Sequence, residues 1–329
     1  MTTYAVVDSG TTTTRVRLWR DGAQVWSGSR SAGARDTAVD GNNAKLRAAL
    51  RELLADATSA AGGAPDGIVC SGMITSNMGL WEVPHLVAPA GSDDIARGVV
   101  QQAFPELSPI PFSFVPGVKT RPASLSLTNL AEADVLRGEE AEIVGLRAWL
   151  GLTENAVFLH LGSHHKAIDV DAEGRILASR TAITGELLAA VRGHTILKSS
   201  VEELEGLDLD MDAAMAGAEA TRRHGLGRAS FLVRVGEQIA GLDKVTMTSY
   251  LVGALAQVDL PLLEGSAWGV ANPAPVVLYG GGHFHQVLVA LIEGTGREVR
   301  TVDPEAADAA AVRGALALFE RSRELGVAR

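Results

Sequence analysis

Three glycine-containing turns each follow an apolar segment that is typical of a β-strand. They occupy residues 8–14, 162–166 and 280–282, and the first two are also rich in hydroxyl or other polar residues. Glycine lets backbone N–H groups approach an anion closely, because no Cβ intervenes. Two such turns could hold the β- and γ-phosphates of a nucleotide from opposite sides of a cleft. The third fits a strand-to-helix connection or a bare surface for a flat ligand such as adenine about equally well.

Carboxylates at two places could bind a metal ion or transfer a proton. Asp8 ends the first strand, where it could bind Mg²⁺, since this ion usually takes one or two protein carboxylates beside phosphates. The alternative is a turn residue that caps its own loop. Glu139 and Glu140 open a predicted helix, where they could simply complement the helix dipole, or one could be a general base. We favour Glu139 as the base because it directly follows Gly138, and we expect Glu140 to face the protein interior.

The first two turns lie in segments that repeat one pattern of strand, turn, strand, hairpin and strand. Gly10 stands 12 residues before the hairpin glycine Gly22, and Gly162 stands 12 residues before Gly174. An offset of 152 residues therefore superposes Val16 on Ile168 and Leu18 on Val170. The repeat predicts an internal duplication. The alternative is two unrelated hairpins, which are common structures.

Other elements follow from capping and periodicity. A helix is predicted to begin near Asn43, a plausible N-cap, and another to run from about residue 306 to 325. The proline-rich stretch 105–122 is expected to be a connecting loop.

Bulk composition excludes several classes of protein. The chain has 329 residues, long enough for two lobes, and one cysteine, which fits a reducing compartment. Its formal net charge of −10 argues against nucleic acid or anionic lipid as a partner. No apolar run is long enough to span a membrane, and the histidines lack the companion ligands of a zinc site. We expect a cytoplasmic protein with a small-molecule substrate, and the sequence is compatible with a homodimer.

The motifs, in their order along the chain, resemble the 2-dehydro-3-deoxygalactonokinase family of the actin, hexokinase and heat-shock-chaperone ATPase superfamily. They are residues 8–12 with Arg15, 71–79, 82–85, 134–140, 162–166, and 184–187 with His194. The resemblance covers nearly the whole chain. It implies an α/β fold of two duplicated ribonuclease H-like lobes around a central cleft. It also implies phosphoryl transfer from Mg·ATP to the 6-hydroxyl of 2-dehydro-3-deoxy-D-galactonate or a closely related 2-keto-3-deoxy sugar acid.

The same resemblance implies roles for individual residues. Phosphates and metal would be held by Asp8, Gly10, Thr11, Thr12, Gly162, Ser163, His164 and Lys166. Adenosine would border Gly280, Gly281 and Gly282, and the sugar acid would border Ser76, Asn77 and Glu82. Its carboxylate needs a cation, for which Arg15, Arg35 and Arg137 are unranked candidates. Residues 1–136, joined by the helix at 306–329, would form the lobe with the sugar-acid site, and residues 137–305 the lobe with the adenosine site.

Two other functions share parts of this pattern. An exopolyphosphatase-type phosphatase also carries a glycine and paired glutamates before a second phosphate turn, but it would want a basic channel for its polyanion. A chaperone- or filament-like ATPase would use its cleft as a conformational switch. A peptide-binding chaperone needs a further domain, and two lobes already account for the 329 residues.

Overall fold

The computed structural model describes residues 2–265, 267 and 274–327, and its chain divides into two compact units. The first unit comprises Met1–Glu154, Asp171–Ala178 and Glu305–Arg329, and the second comprises Asn155–Val170 and Ser179–Pro304. The strands are β1 (Thr3–Ser9), β2 (Thr14–Arg20), β3 (Ala23–Arg30), β4 (Gly67–Gly72), β5 (Leu86–Val87), β6 (Val100–Gln102), β7 (Phe112–Phe114), β8 (Val118–Thr120), β9 (Asp134–Leu136), β10 (Ala156–Leu161), β11 (His165–Val170), β12 (Ile176–Ala182), β13 (Val276–Gly280) and β14 (Val299–Thr301).

The α-helices lie between groups of these strands and at the end of the described chain. They are α1 (Ala34–Asp40), α2 (Ala44–Ala61), α3 (Ser92–Arg97), α4 (Glu139–Leu150), α5 (Thr184–His194), α6 (Met211–His224), α7 (Leu226–Ala240), α8 (Lys244–Ala256), α9 (Leu260–Glu264), α10 (His285–Glu293) and α11 (Pro304–Glu324). Short 3₁₀ helices occur at Met73–Thr75, Leu130–Glu132, Ile196–Ser200 and Gln257–Asp259. None of the helices described is both long and apolar enough to cross a membrane.

The main sheet of the first unit has the strand order β3-β2-β1-β4-β7-β6. Alternate residues of β1, Ala5 and Val7, pack with leucines of α2 such as Leu50 in one buried cluster. On the other face, the Tyr4 ring meets the Phe319 ring of α11 edge-on, with centroids 5.7 Å apart. Period-two alternation therefore gives β1 two buried faces, each covered by a helix.

The hairpin between β2 and β3 confirms the sequence prediction. Asp21 and Gly22 have φ values of 49° and 83°. Positive φ at both central residues is the signature of a type I′ turn, whose twist suits a two-residue hairpin.

The second unit repeats the topology of the first. Its sheet has the order β12-β11-β10-β13-β14, and β10 pairs antiparallel with β11 and parallel with β13, as β1 does with β2 and β4. Ser9 lies opposite Gly72 in the parallel pair, and Leu161 lies opposite Gly280. The predicted duplication is confirmed, with Ser9 and Leu161 separated by the expected offset.

The offset is wrong for the second strand of the repeat. Asp8 pairs with Arg15, whereas His160 pairs with Lys166, so the connection in the second unit is one residue shorter. Arg15 therefore corresponds to Lys166, and Val16 to Ala167 rather than to Ile168. His165 and Lys166 belong to β11, which leaves residues 162–164 as the second turn, while residues 10–13 form the first turn.

The expectation of a plain loop at residues 105–122 is also wrong. Phe112 and Phe114 of β7 are fully buried, and β7 pairs with both β4 and β6. Pro111 and Pro116 flank this short strand rather than interrupt it, so they cost the ladder no hydrogen bond.

Helices α4 and α11 of the first unit cross at backbone contact. A Cβ at Gly145 would stand 1.8 Å from the Ala310 carbonyl oxygen, and one at Gly314 would stand 1.8 Å from that of Ala141. This packing places α4 in the first unit, beyond the boundary at residue 136 that the sequence suggested.

We expect Gly314→Ala to destabilise the protein by about 2–3 kcal/mol or more, because the two helices must move apart to admit the methyl group. The matched control is Gly193→Ala in α5, where a Cβ meets nothing within 4 Å. That variant should be neutral or slightly stabilising, since alanine is the better helix former. Urea unfolding of both variants measures the difference, and equal midpoints would contradict the close crossing.

Candidate active site

Asp8 stands at the end of β1, against the end of the parallel strand β4. Gly72 has a φ of 80°, and a Cβ there would lie 2.8 Å from Asp8 Oδ1 and 2.8 Å from the Ser9 carbonyl oxygen. Only glycine therefore permits this approach. Gly72 belongs to the motif at residues 71–79, but the sequence alone did not indicate a role for it.

Glu139 lies near Asp8 because the residue before it, Gly138, packs closely against Gly72. Gly138 has a φ of 115°, and a Cβ there would lie 3.2 Å from the Gly72 Cα. Glu139 is half-buried at the start of α4, and its Oε2 accepts a hydrogen bond from the Arg137 backbone N–H at 2.9 Å. The structure thus brings together the predicted catalytic residues Asp8 and Glu139, with two glycines between them.

Glu140 points into the protein, as expected. Its side chain is fully buried, and both carboxyl oxygens accept from the Gly138 N–H at 2.9 Å. Burial, followed by the charge of Glu139, raises the pKa of Glu140 to about 8. Of the two glutamates, Glu139 is the one with solvent access.

The charges around Asp8 oppose one another. Burial raises the pKa of Asp8, the Arg17 and Arg15 guanidinium groups lower it, and Asp308 and Glu139 raise it. Arg17 is almost fully buried and forms an ion pair with Asp308 on α11. Neither Arg17 nor Asp308 was predicted from the sequence as a site residue. The period-two spacing from Arg15 could have shown that Arg17 shares its face of β2.

The donor set at Asp8 fits a magnesium ion rather than a metal held entirely by protein. Among the residues described, no group of three or more His, Cys, Asp or Glu side chains could hold a metal. Mg²⁺ commonly binds through one or two carboxylates, with waters and substrate phosphates completing its shell. Asp8 is half-buried and can supply such a carboxylate.

The first turn is held by the beginning of α1. The Gly10 N–H donates to the Thr13 carbonyl at 2.9 Å, and the Arg35 N–H donates to the Thr11 carbonyl at 2.9 Å. Thr11 and Thr12 are exposed. The Arg35 side chain is also exposed, and in the described part of the chain no carboxylate lies within ion-pair distance of it. The turn therefore presents hydroxyls to solvent, and the beginning of α1 beside it presents a cation that has no ion-pair partner among the described residues.

Arg137 is occupied by contacts that shape the segment after Gly72. Its Nη1 donates to the Thr75 carbonyl and hydroxyl oxygens at 2.5 Å, and its Nη2 donates to the Val83 carbonyl at 3.0 Å and lies 3.1 Å from the His85 ring nitrogens. Arg137, one of the three candidates for the substrate carboxylate, therefore has its guanidinium group bonded to the protein. The Ser76 hydroxyl is likewise used within this segment, donating to the Met73 carbonyl at 2.7 Å. Asn77 and Glu82 are exposed.

The second turn packs on the first residues of α5. A Cβ at Gly185 would lie 2.3 Å from the Gly162 carbonyl oxygen, and the Glu186 N–H donates to the Ser163 carbonyl at 3.0 Å. His164 Nε2 lies 3.3 Å from Glu186 Oε1. Lys166 is buried in β11.

A pocket of about 350 Å³ opens between the second turn and the glycines after β13. Its lining residues are Gly162, Ser163, Gly185, Glu186, Leu188, Ala189, Arg192, Leu204, Gly281, Gly282, His283 and Phe284. Gly280 is required by its backbone, because a Cβ would lie 2.2 Å from the Leu161 carbonyl oxygen. A Cβ at Gly281 would meet nothing within 4 Å, so glycine there leaves open space for a ligand.

The repeated sheets define an actin-like ATPase fold, which sugar kinases share, and similar solved structures confirm it. A Sinorhizobium meliloti structure described as a candidate 2-dehydro-3-deoxygalactonokinase aligns with a TM-score of 0.75 at 24% identity, covering 95% of each chain. Component A of the Acidaminococcus fermentans (R)-2-hydroxyglutaryl-CoA dehydratase aligns with a TM-score of 0.51 at 14% identity, covering 98% of this chain and 100% of the other. At these identities the likeness shows the fold alone.

The family follows from sequence comparison. The model of the 2-keto-3-deoxy-galactonokinase family matches residues 8–318, and the chain belongs to that family. A Rhizobium meliloti (strain 1021) protein with a provisional 2-dehydro-3-deoxygalactonokinase assignment is 29% identical over 92% of this chain and 93% of its own. The Escherichia coli (strain K12) 2-dehydro-3-deoxygalactonokinase is 25% identical over 94% and 96%. Membership of a kinase family implies that the chain uses a nucleotide.

Glu140 should make the stability of the protein depend on pH. Its folded-state pKa of about 8 lies above the ordinary 4.5, so the native state keeps a proton that the unfolded state releases. The free energy of unfolding should therefore fall as pH rises from about 4.5 to 8, by up to about 1.4 kcal/mol per pH unit from this group. In Glu140→Gln this contribution should vanish, whereas Glu132→Gln, at an exposed site, should follow the wild type. Urea unfolding at pH 5, 6.5 and 8 measures the slopes, and a Glu140→Gln slope equal to that of the wild type would contradict the burial argument.

Proposed function

We propose that this protein transfers the γ-phosphoryl group of ATP to the 6-hydroxyl of 2-dehydro-3-deoxy-D-galactonate or a closely related 2-keto-3-deoxy sugar acid. Family membership and the names of the curated relatives support the substrate class. The observation that carries the chemistry is the position of Glu139, a half-buried carboxylate pinned by the Arg137 N–H and separated from Asp8 by two glycines.

Glu139 is the proposed general base. Its hydrogen bond with the backbone fixes one carboxyl oxygen, Oε2, and the other, Oε1, is proposed to accept the proton of the attacking hydroxyl. The Asp8 carboxylate is the proposed metal ligand. When bound, Mg²⁺ would supply charge neutralisation on the β- and γ-phosphates, which is a main part of catalysis in phosphoryl transfer. Glu140 is fully buried and is proposed to fix the start of α4 instead of touching the substrate.

Nucleotide binding is assigned to the turns and the pocket of the second unit. Backbone N–H groups of Gly162 and Ser163 would contact phosphate oxygens, and the adenosine would lie against Gly281 and Gly282 in the 350 Å³ pocket. Thr11 and Thr12 of the first turn are exposed and are proposed to contribute further phosphate contacts. That both turns bind one and the same nucleotide stays a prediction from the sequence.

Arg35 is the proposed partner of the sugar-acid carboxylate. The Arg137 guanidinium group already donates to the Thr75 and Val83 carbonyls, and Arg15 Nη1 lies 3.6 Å from Asp308 Oδ1. Arg35 is exposed beside the first turn, and the residues described give it no carboxylate. A planar guanidinium can bind a carboxylate through two parallel hydrogen bonds.

Glu139→Gln should lower kcat at least about a hundredfold, the low end for loss of a general base, because the amide keeps the hydrogen bond to Arg137 but cannot take the proton. ADP affinity should stay within twofold. The measurement is ADP release with 2-dehydro-3-deoxy-D-galactonate, and phosphate release without it distinguishes a phosphatase. Glu142→Gln, in the same helical turn, is the matched control and should lose less than threefold. Near-normal turnover of Glu139→Gln would remove Glu139 from the role.

Arg35→Ala should raise the KM for the sugar acid about 10- to 100-fold, the range expected for losing hydrogen bonds to a charged group, with the KM for ATP within twofold. Arg15→Ala is the competing variant. If Arg15→Ala raises the sugar-acid KM and Arg35→Ala does not, the carboxylate belongs to Arg15.

A further inference from the structure

Three polar side chains are buried behind the second turn and joined through one carboxylate. His165 Nδ1 lies 2.5 Å from Asp259 Oδ2, and the Thr184 hydroxyl donates to Asp259 Oδ1 at 2.5 Å. His165 and Asp259 are each about 1% exposed, and Thr184 is 2% exposed. Neither the sequence motifs nor the proposed mechanism gives Asp259 a role.

The three residues belong to the elements that border the turn. His165 is the first residue of β11 and follows the turn directly, while Thr184 is the first residue of α5. Asp259 is the last residue of the 3₁₀ helix that precedes α9. One carboxylate therefore joins the end of the turn to the beginning of the helix on which the turn packs.

This junction sets the position of the turn itself. The Gly162 carbonyl is within 2.3 Å of where a Gly185 Cβ would be, and the Ser163 carbonyl accepts from the Glu186 N–H at 3.0 Å. If the N-terminal residues of α5 shift, these backbone groups of the second turn must shift with them. The His165 ring also meets Phe284 edge-on, with centroids 4.8 Å apart, and Phe284 lines the pocket.

Stability alone does not account for a carboxylate at this place. Removing a charge from water is costly, and replacing buried ionic groups with apolar ones of similar volume is often neutral or stabilising. The Asp259 carboxyl group contacts the His165 ring through one oxygen and the Thr184 hydroxyl through the other, so it fixes the orientation of both side chains. Asp259 thus constrains one side chain on the strand that follows the turn and one on the helix against which the turn packs.

We propose that Asp259 is a positioning residue for nucleotide binding, which holds His165 and Thr184 so that the N–H groups of residues 162–164 are aimed at phosphate oxygens. The proposal rests on the assignment of the nucleotide to this pocket. Asp259 acts through the turn and does not touch the ligand.

The test compares Asp259→Asn with Asp169→Asn. Asparagine replaces one accepting oxygen with a donor, so it cannot accept from both His165 and Thr184. Asp169 is a matched control, because it is fully buried in the same unit on β11 and accepts from Arg180 at 2.6 and 3.0 Å. It lies four residues along the strand from His165, about 13 Å away.

Asp259→Asn should weaken ADP binding, measured by calorimetry, and raise the KM for ATP about tenfold or more, while the KM for the sugar acid stays within twofold. Asp169→Asn should lose stability in urea but keep its ADP affinity within twofold. Equal ADP affinity in Asp259→Asn and the wild type, or an equal loss in Asp169→Asn, would overturn the proposal.

Thr184→Val and Thr184→Ser decide the case if Asp259→Asn does not fold. Valine removes one donor to Asp259 without changing the shape, and should weaken ADP binding about threefold or more, whereas serine keeps the donor and should bind normally. Equal affinities for the two would refute the role of the network. If the wild type binds ADP but phosphorylates no sugar acid, the proposed substrate is wrong, and the ADP measurements still decide the positioning role.

Discussion

Each main sheet contains one place where a strand ends against its neighbour too closely for any side chain. At Gly72 the obstacle is Asp8 and the Ser9 carbonyl, and at Gly280 it is the Leu161 carbonyl, 2.2 Å from where a Cβ would stand. Both glycines have positive φ, at 80° and 95°. In the first unit, this approach lets Gly138 lie beside Gly72 and so brings Glu139 toward Asp8. In the second unit, it lets the chain turn away from β13 and leave the pocket open. The placement of chemistry thus depends on backbone spacing that only glycine allows.

The side chains of Arg137, Glu139 and Glu140, on either side of Gly138, are held mainly by backbone donors and acceptors. Glu139 and Glu140 bend back onto the N–H groups of Arg137 and Gly138. Arg137 in turn donates hydrogen bonds to the Thr75 and Val83 carbonyls and so holds the segment after Gly72 in place. Because the side chains are bonded in this way, few rotamers need to be fixed when a ligand arrives, which is the condition for a preorganised site.

Local sequence patterns predicted the elements with strong chemical signatures, whereas contacts between distant residues could not be read from them. Asp21-Gly22 identified its hairpin because the turn type demands positive φ. The missing residue in the second turn was invisible, since Ala167 and Ile168 are both apolar and only the pairing register distinguishes them. Arg137 was one of three candidates for the substrate carboxylate, because nothing in its sequence neighbourhood showed that Thr75 and Val83 would bind it. The strand at Phe112 was missed because it is short and flanked by prolines. The sequence predicted Asp8 and Glu139 as site residues, and the register of β4, which pairs Ser9 with Gly72, explains how the two come near each other.

The first unit is discontinuous in sequence, and this governs the order in which the chain can become stable. Its sheet is complete by β7, but α11, which covers one face of that sheet, leaves the ribosome only after the entire second unit. Until then Tyr4 lacks Phe319, and Arg17 faces that position without Asp308, 291 residues away. Long loop closure of this kind slows folding and leaves apolar surface uncovered in the nascent protein. Biosynthesis therefore exposes the Tyr4 face of β1 to chaperones or to aggregation for as long as the second unit takes to be made.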